Sequence, residues 1–163
     1  MTPININLVP MNKGDIPEAV DLIRRAMNQD EADWADKTMH FHFGCAENNL
    51  DDGRYYFVWK NGSKVQGITG LHQYNWGPKE NVWLAWFALD PDLHGKGLGS
   101  KLFDEMVSLA IKMGFKKMFI ETYISPTFEK ARMFYQNKGF KPAGEIENYL
   151  PDGEAMIVYL KVL

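Results

Sequence analysis

Residues 86–103 read WFALDPDLHGKGLGSKLF, with Gly95, Gly97 and Gly99 crowded between an apolar run and a segment of helical spacing. Upstream, Asn81–Leu89 (NVWLAWFAL) is apolar at both odd and even positions, the pattern of a central strand covered on each side. Downstream, Leu98, Leu102, Met106, Leu109 and Met113 recur every three or four residues, and Gly114 follows as a closing cap. A buried strand that turns through glycines into a helix gathers uncapped backbone N–H groups and the positive end of the helix dipole at one point. That point attracts phosphate. Glycines suit it because a side chain would block the approach of a ligand to the backbone, and because turns of this kind use positive φ.

Two common phosphate loops are excluded by spacing. A nucleoside-triphosphate loop needs G-x-x-x-x-G-K-[S/T], yet Ser100 stands five positions after Gly95. A dinucleotide loop needs G-x-G-x-x-G, and here the third glycine, Gly99, comes one residue early.

Around this core the chain alternates strand and helix. NINLVPM predicts a short first strand, and DIPEAVDLIRRAM predicts a helix with Ile16, Val20, Ile23 and Met27 inward and Asp15 as its cap. Residues 31–49 mix both periodicities and are assigned to a helix. The runs on either side of Asn61-Gly62 predict a β-hairpin. FKKMFIET reads as a buried strand, and residues 127–138 as a helix with Phe128, Ala131, Phe134 and Tyr135 on one face, stopped by Gly139. KPAGEIENYL and EAMIVYLKV predict two strands joined by a turn at Pro151-Asp152-Gly153. The sum is an α/β (α+β) fold, a three-layer αβα arrangement around a mixed sheet.

Composition narrows the class. A length of 163 residues fits one domain, 1–163, and 45% hydrophobic with 24% charged residues supplies a core without a disordered tract. No apolar run approaches the roughly 18 residues of a membrane span, and the first residues lack a signal-peptide pattern, so the expected setting is cytoplasmic, with no membrane association. The single cysteine, Cys45, excludes an intrachain disulfide and a cysteine-based zinc cluster. A net charge of −3 without a basic block does not suit a general nucleic-acid binder. His40 and His42 lack a nearby third ligand, so no metal is expected.

The loop His94-Gly95-Lys96-Gly97-Leu98-Gly99, after a strand ending Phe87-Ala88-Leu89-Asp90-Pro91, resembles motif A of the GNAT superfamily of N-acetyltransferases, [Q/R]-x-x-G-x-[G/A]. His94 departs from its first position. Further on, FEKARMFYQNKGF resembles the family's second motif, N-x-x-A-x-x-x-Y-x-x-x-G-F. Ala131, Tyr135, Gly139 and Phe140 are in register, and Phe128 stands at the asparagine. The matching element order extends the resemblance over essentially the whole chain and implies a GNAT-like sheet, mostly antiparallel.

The resemblance implies acetyl-CoA as cosubstrate. It assigns the pantetheine arm to Ala88 and Leu89, and the pyrophosphate to the backbone of His94, Gly95, Lys96, Gly97, Leu98, Gly99 and Ser100. The implied reaction is transfer of an acetyl group to a primary amine of a small molecule, peptide or protein. A lysine-like amine is about three pKa units from neutrality at pH 7.4, roughly 4 kcal/mol, so a base is needed. Glu121, at the end of MFIET, is the candidate base; its competing reading is a solvated strand-end carboxylate. Tyr135, by the resemblance, protonates the departing thiolate; its competing reading is a core aromatic. Tyr74 and Trp76, in or beside a loop between strands, are candidate walls of the acceptor pocket. Two other functions stand beside this one: a non-catalytic acyl-CoA-binding regulatory module, and a nucleotide-binding protein. A homodimer is left open.

Overall fold

A computed structural model of the chain describes residues 4–163. Seven strands form one sheet: β1 (Leu8–Pro10), β2 (Arg54–Asn61), β3 (Lys64–His72), β4 (Asn81–Leu89), β5 (Lys117–Tyr123), β6 (Lys141–Ile146) and β7 (Met156–Val162). Their order is β1-β2-β3-β4-β5-β7-β6, which puts β4 in the middle, as its apolar faces predict. Every neighbouring pair is antiparallel except β4 with β5. Four helices complete the layers: α1 (Ile16–Ala26), α2 (Gln29–Glu47), α3 (Leu98–Lys112) and α4 (Glu129–Asn137).

The helices divide between the two faces. Ile16, Ala19, Val20 and Ile23 of α1, with Ala32, Ala35 and Met39 of α2, pack on Tyr56, Val58, Ile68 and Ala88. On the other face Phe103, Met106 and Ala110 of α3, with Phe134 and Tyr135 of α4, pack on Leu71, Val82, Leu84, Met118 and Ile120. A closed aromatic set joins α3 to α4, with Phe103 edge-on to Phe134 at 5.2 Å and to Phe140 at 5.8 Å. The ambiguous residues 31–49 do lie in a helix. Asn28 caps it by accepting the Glu31 N–H (2.8 Å), and the face with Ala32, Ala35 and Met39 turns inward while Phe41 stays exposed.

Several local expectations are corrected. The first strand is only three residues long. The hairpin turn is Gly62-Ser63, not Asn61-Gly62: Asn61 pairs with Lys64, and Gly62 alone supplies the positive φ (+62°). Met27 lies beyond the end of α1 and is exposed. Asp15 precedes α1 but does not cap it with its side chain. Its carboxylate accepts the Asn12 N–H (3.0 Å) and pairs with Lys60 on β2. Among the described residues, no helix is long and apolar enough to cross a membrane.

Candidate active site

The glycine loop is held from behind by a buried carboxylate. Asp90, 1% exposed, receives Lys64 Nζ (2.8 Å), Arg25 Nη1 (3.0 Å) and the Asp92 N–H (3.1 Å). Lys64 above all, against the cost of burial and with help from Arg25, holds its carboxyl well below the usual carboxylate range. This ties α1, β3 and the end of β4 to one point. Beyond it, Gly95 (φ +75°) and Gly97 (φ +72°) are left-handed, and a Cβ at either would meet nothing within 4 Å. Gly97 begins α3 with no side-chain cap, so the first-turn N–H groups stay available.

The side chains around the loop are turned aside. His94 donates from Nε2 to the Leu89 carbonyl (3.0 Å), folding back over the strand end. Lys96 reaches the Asp92 carbonyl (3.3 Å). Ser100 is bound through its hydroxyl by Lys138, at the end of α4, which also pairs with Asp104. The residues of the second sequence motif thus reach the first turn of α3.

The central strands part beyond the loop's base. β4 and β5 pair only at Asn81–Lys117, Val82–Met118 and Trp83–Phe119. Past Trp83, the β5-side edge of β4 has no strand partner, and its backbone groups are open to an added ligand. A cavity of about 690 Å³ occupies this split. Its walls are Leu84, Ala85, Trp86 and Phe87 of β4, Ile120–Tyr123 of β5, Phe128, Ala131 and Tyr135 from the α4 side, and Glu31 and Trp34 of α2.

A bulge in β4 shapes the wall. Thr69 faces Phe87 and Leu71 faces Leu84, so Ala85 and Trp86 together oppose the single Gly70. Inward residues on the α3 side change from even (Val82, Leu84) to odd (Phe87) across it. Only glycine fits at position 70, because a Cβ there would lie 2.9 Å from the Tyr56 ring and 3.0 Å from Trp86 N.

A second cavity, about 280 Å³, opens on the α2 side. Thr38, Arg54, Tyr56, His72, Tyr74 and Trp83 line it, and it shares Leu84, Ala85, Trp86 and Glu121 with the first. The two spaces therefore meet at the bulge and at Glu121. Tyr135 and Glu121 line one cavity from opposite faces of the sheet. Tyr74 lines the smaller cavity, whereas Trp76 is 87% exposed and stacks on Tyr74 from outside (5.7 Å). Ala88, Leu89 and the glycine loop lie past the lining of both cavities, further along β4 and into α3.

Burial raises the Tyr135 hydroxyl to about 12, so it stays protonated at any physiological pH. Burial also pushes the Glu121 carboxyl up. Glu31 is raised by burial, then by Asp30 and by Glu121 itself, which places two carboxylates on one side of the larger cavity. His72 is pushed down by burial and by Arg54, which favours its neutral form. The sequence reading missed Glu31, Arg54 and Tyr56. Arg54, His72, Trp83 and Phe119 share one register row across four strands, and nothing in their spacing along the chain announces it.

Residues 18–140 match the Acetyltransferase (GNAT) family. No curated protein matches the chain in sequence. Among solved structures, a GNAT-family acetyltransferase from Desulfovibrio desulfuricans superposes with a TM-score of 0.84 at 19% identity, covering 97% of this chain and 99% of its own. The ribosomal-protein-S18-alanine N-acetyltransferase of Escherichia coli gives 0.73 at 22% identity, covering 97% and 94%. A GNAT-family acetyltransferase from Elizabethkingia anophelis, with acetyl-CoA bound, gives 0.73 at 20% identity, covering 99% and 100%. With the glycine loop, the parted strands and the tyrosine helix in one arrangement, the chain belongs to the acetyltransferase (GNAT) family.

Proposed function

We propose that the protein is an N-acetyltransferase that moves an acetyl group from acetyl-CoA to a primary amine, working as one domain in the cytoplasm. The observation that carries this reading is the junction of two cavities at Ala85-Trp86 and Glu121, one suited to a donor and one to an acceptor. The donor side fits acetyl-CoA. Left-handed Gly95 and Gly97 have open space above them, α3 has an uncapped start, and β4 offers a free edge from Leu84 toward Leu89. Gly95 through Ser100 would hold the pyrophosphate with backbone groups, and the β4 edge running to Ala88 and Leu89 would hold the pantetheine arm. His94 spends its N–H on the Pro91 carbonyl (3.1 Å) and its imidazole on Leu89, so it shapes the loop rather than contacting the phosphates.

Acetyl-CoA supplies an activated thioester carbonyl. The Glu121 carboxylate takes a proton from the acceptor ammonium, so that a C–N bond can form as the C–S bond breaks. Its raised pKa makes it a better proton acceptor than an ordinary carboxylate. The Tyr135 hydroxyl, held protonated by burial, gives its proton to the leaving sulfur, and the second proton shed by the nitrogen as the amide forms restores it. Tyr74, with Trp76 stacked behind it, walls the acceptor space.

Release of free thiol from acetyl-CoA, measured with a panel of primary amines, tests the proposal. Amine-dependent release is expected. Thermal stabilisation by acetyl-CoA with no thiol release from any amine would instead identify a non-catalytic acyl-CoA-binding module. Stabilisation by ATP or NAD and not by acetyl-CoA would overturn both.

A further inference from the structure

We propose that the smaller cavity selects an acceptor that carries a carboxylate a few bonds from its amine, that is, a free amino acid rather than a polyamine or a peptide N-terminus. The inference rests on the acetyl-transfer reading for its orientation, and on two side chains of β2 for its chemistry.

Arg54 is the first. Asp52 Oδ2 engages its Nη1 (3.1 Å), and Asp52 is fixed in turn by His42 Nδ1 (2.8 Å) and by the Arg54 N–H (3.1 Å). Only one edge of the guanidinium is spent on this support, and its side chain lines the cavity. A fork of N–H donors backed by a buried carboxylate is arranged to bind a second planar anion. Tyr56 is the second. It is 4% exposed, it lines the same cavity, and its hydroxyl lies beside Thr38 and Trp86 without a well-aligned hydrogen bond to either. The neighbouring Trp86 N–H is already given to Thr38 Oγ1 (3.2 Å), and the Thr38 hydroxyl to the Ala35 carbonyl (3.1 Å). A buried O–H without a well-aligned acceptor is costly, and a carboxylate oxygen would satisfy it.

Arg54 and Tyr56 stand two residues apart on one face of β2, so both point to the same side of the sheet. β2 lies three strands from β5, about 14 Å, and Arg54 from one and Glu121 from the other line the same cavity of about 280 Å³. The anion end of the cavity therefore opens on the same space as Glu121 and the bulge, where the amine must sit. An acceptor with its carboxylate on Arg54 and its amine toward Glu121 has opposite charges at the two ends, as an amino acid does.

Calorimetry in the presence of CoA, with free amino acids and the same amino acids as carboxamides, tests this without turnover. In the wild-type protein the preferred free acid is expected to bind at least about tenfold more tightly than its amide, the worth of one charge-assisted contact. Arg54→Gln should reduce that preference below about twofold with CoA affinity unchanged. Tyr56→Phe, which keeps the packing, should weaken the acid and spare the amide, and it decides the matter if Arg54→Gln does not fold. Amides binding as well as acids, no binding of any free acid, or a preference that survives both substitutions would overturn the inference. Thiol release with amines but no preference for acids would remove the inference and leave the acetyltransferase. A preference for acids with no thiol release would do the reverse.

Discussion

The glycine loop and the smaller cavity, which we propose as donor and acceptor sites, are built on opposite principles. The loop works with backbone: two left-handed glycines, an uncapped helix start, and side chains turned away onto Leu89, Asp92 and Lys138. The cavity presents side chains, Arg54, Tyr56, His72 and Glu121 from three strands whose backbones are already paired, and Tyr74 from the loop after β3. A cosubstrate shared by a whole family can be held by groups that every residue possesses. An acceptor that differs between members needs residues that can change without disturbing the sheet.

The largest expected effect lies in the larger cavity between the two regions, which Tyr135 lines. Tyr135→Phe removes a hydroxyl and keeps the ring that packs against Phe103 and Phe140. If the hydroxyl is the acid, kcat falls about 10²-fold or more, while acetyl-CoA affinity and the thermal midpoint hold. Unchanged turnover would make Tyr135 part of the packing between α3 and α4 and nothing else. The measurement is steady-state thiol release beside calorimetry on the same preparations.

The difference between the regions also explains what could be read from the sequence. The loop is continuous in the chain, so Gly95, Gly97 and Gly99 and the strand and helix around them were visible as spacing. Tyr135 was visible because Ala131, Gly139 and Phe140 stand in register with it in a single helix and its stop. Arg54 was not, because it becomes a site residue only when β2 pairs with β3 and sets it opposite His72, itself opposite Trp83. The bulge at Ala85-Trp86 was equally hidden. An apolar strand of nine residues shows no mark of an extra residue until Gly70 is known to lie across from it. Trp76 attracted notice as an aromatic in a loop, yet it stacks behind Tyr74 and reaches neither cavity.

A middle-sized effect separates backbone from side chain within the loop. Gly97 is left-handed, and valine pays about 1–2 kcal/mol to adopt that conformation, while its methyl groups fill space now empty. Gly97→Val should weaken acetyl-CoA binding by about tenfold or more. Lys96→Ala removes an exposed side chain whose ammonium reaches only the Asp92 carbonyl, and should change affinity by less than about 0.5 kcal/mol. Equal losses in calorimetry would mean that a lysine charge, not the backbone, holds the phosphates, and the contrast between the two regions would fail.

The smallest effect concerns the acidic side of the larger cavity. Burial, Asp30 and Glu121 raise the Glu31 carboxyl above its ordinary range. A raised carboxyl favours the folded state fully below its unfolded pKa, near 4.5, and that contribution is lost as pH rises through the folded value. At pH 7.5 ionised Glu31 therefore costs stability, and Glu31→Gln removes the cost. The gain is small, because the group is partly exposed and sits in the first turn of α2, where the helix dipole favours its charge, and it should vanish in a melt at pH 4. The same substitution reads the site. If Glu31 and Glu121 together draw the acceptor's ammonium to the junction of the cavities, the stabilised variant has a higher KM for the amine. A stabilised variant with unchanged KM would leave Glu121 to act alone.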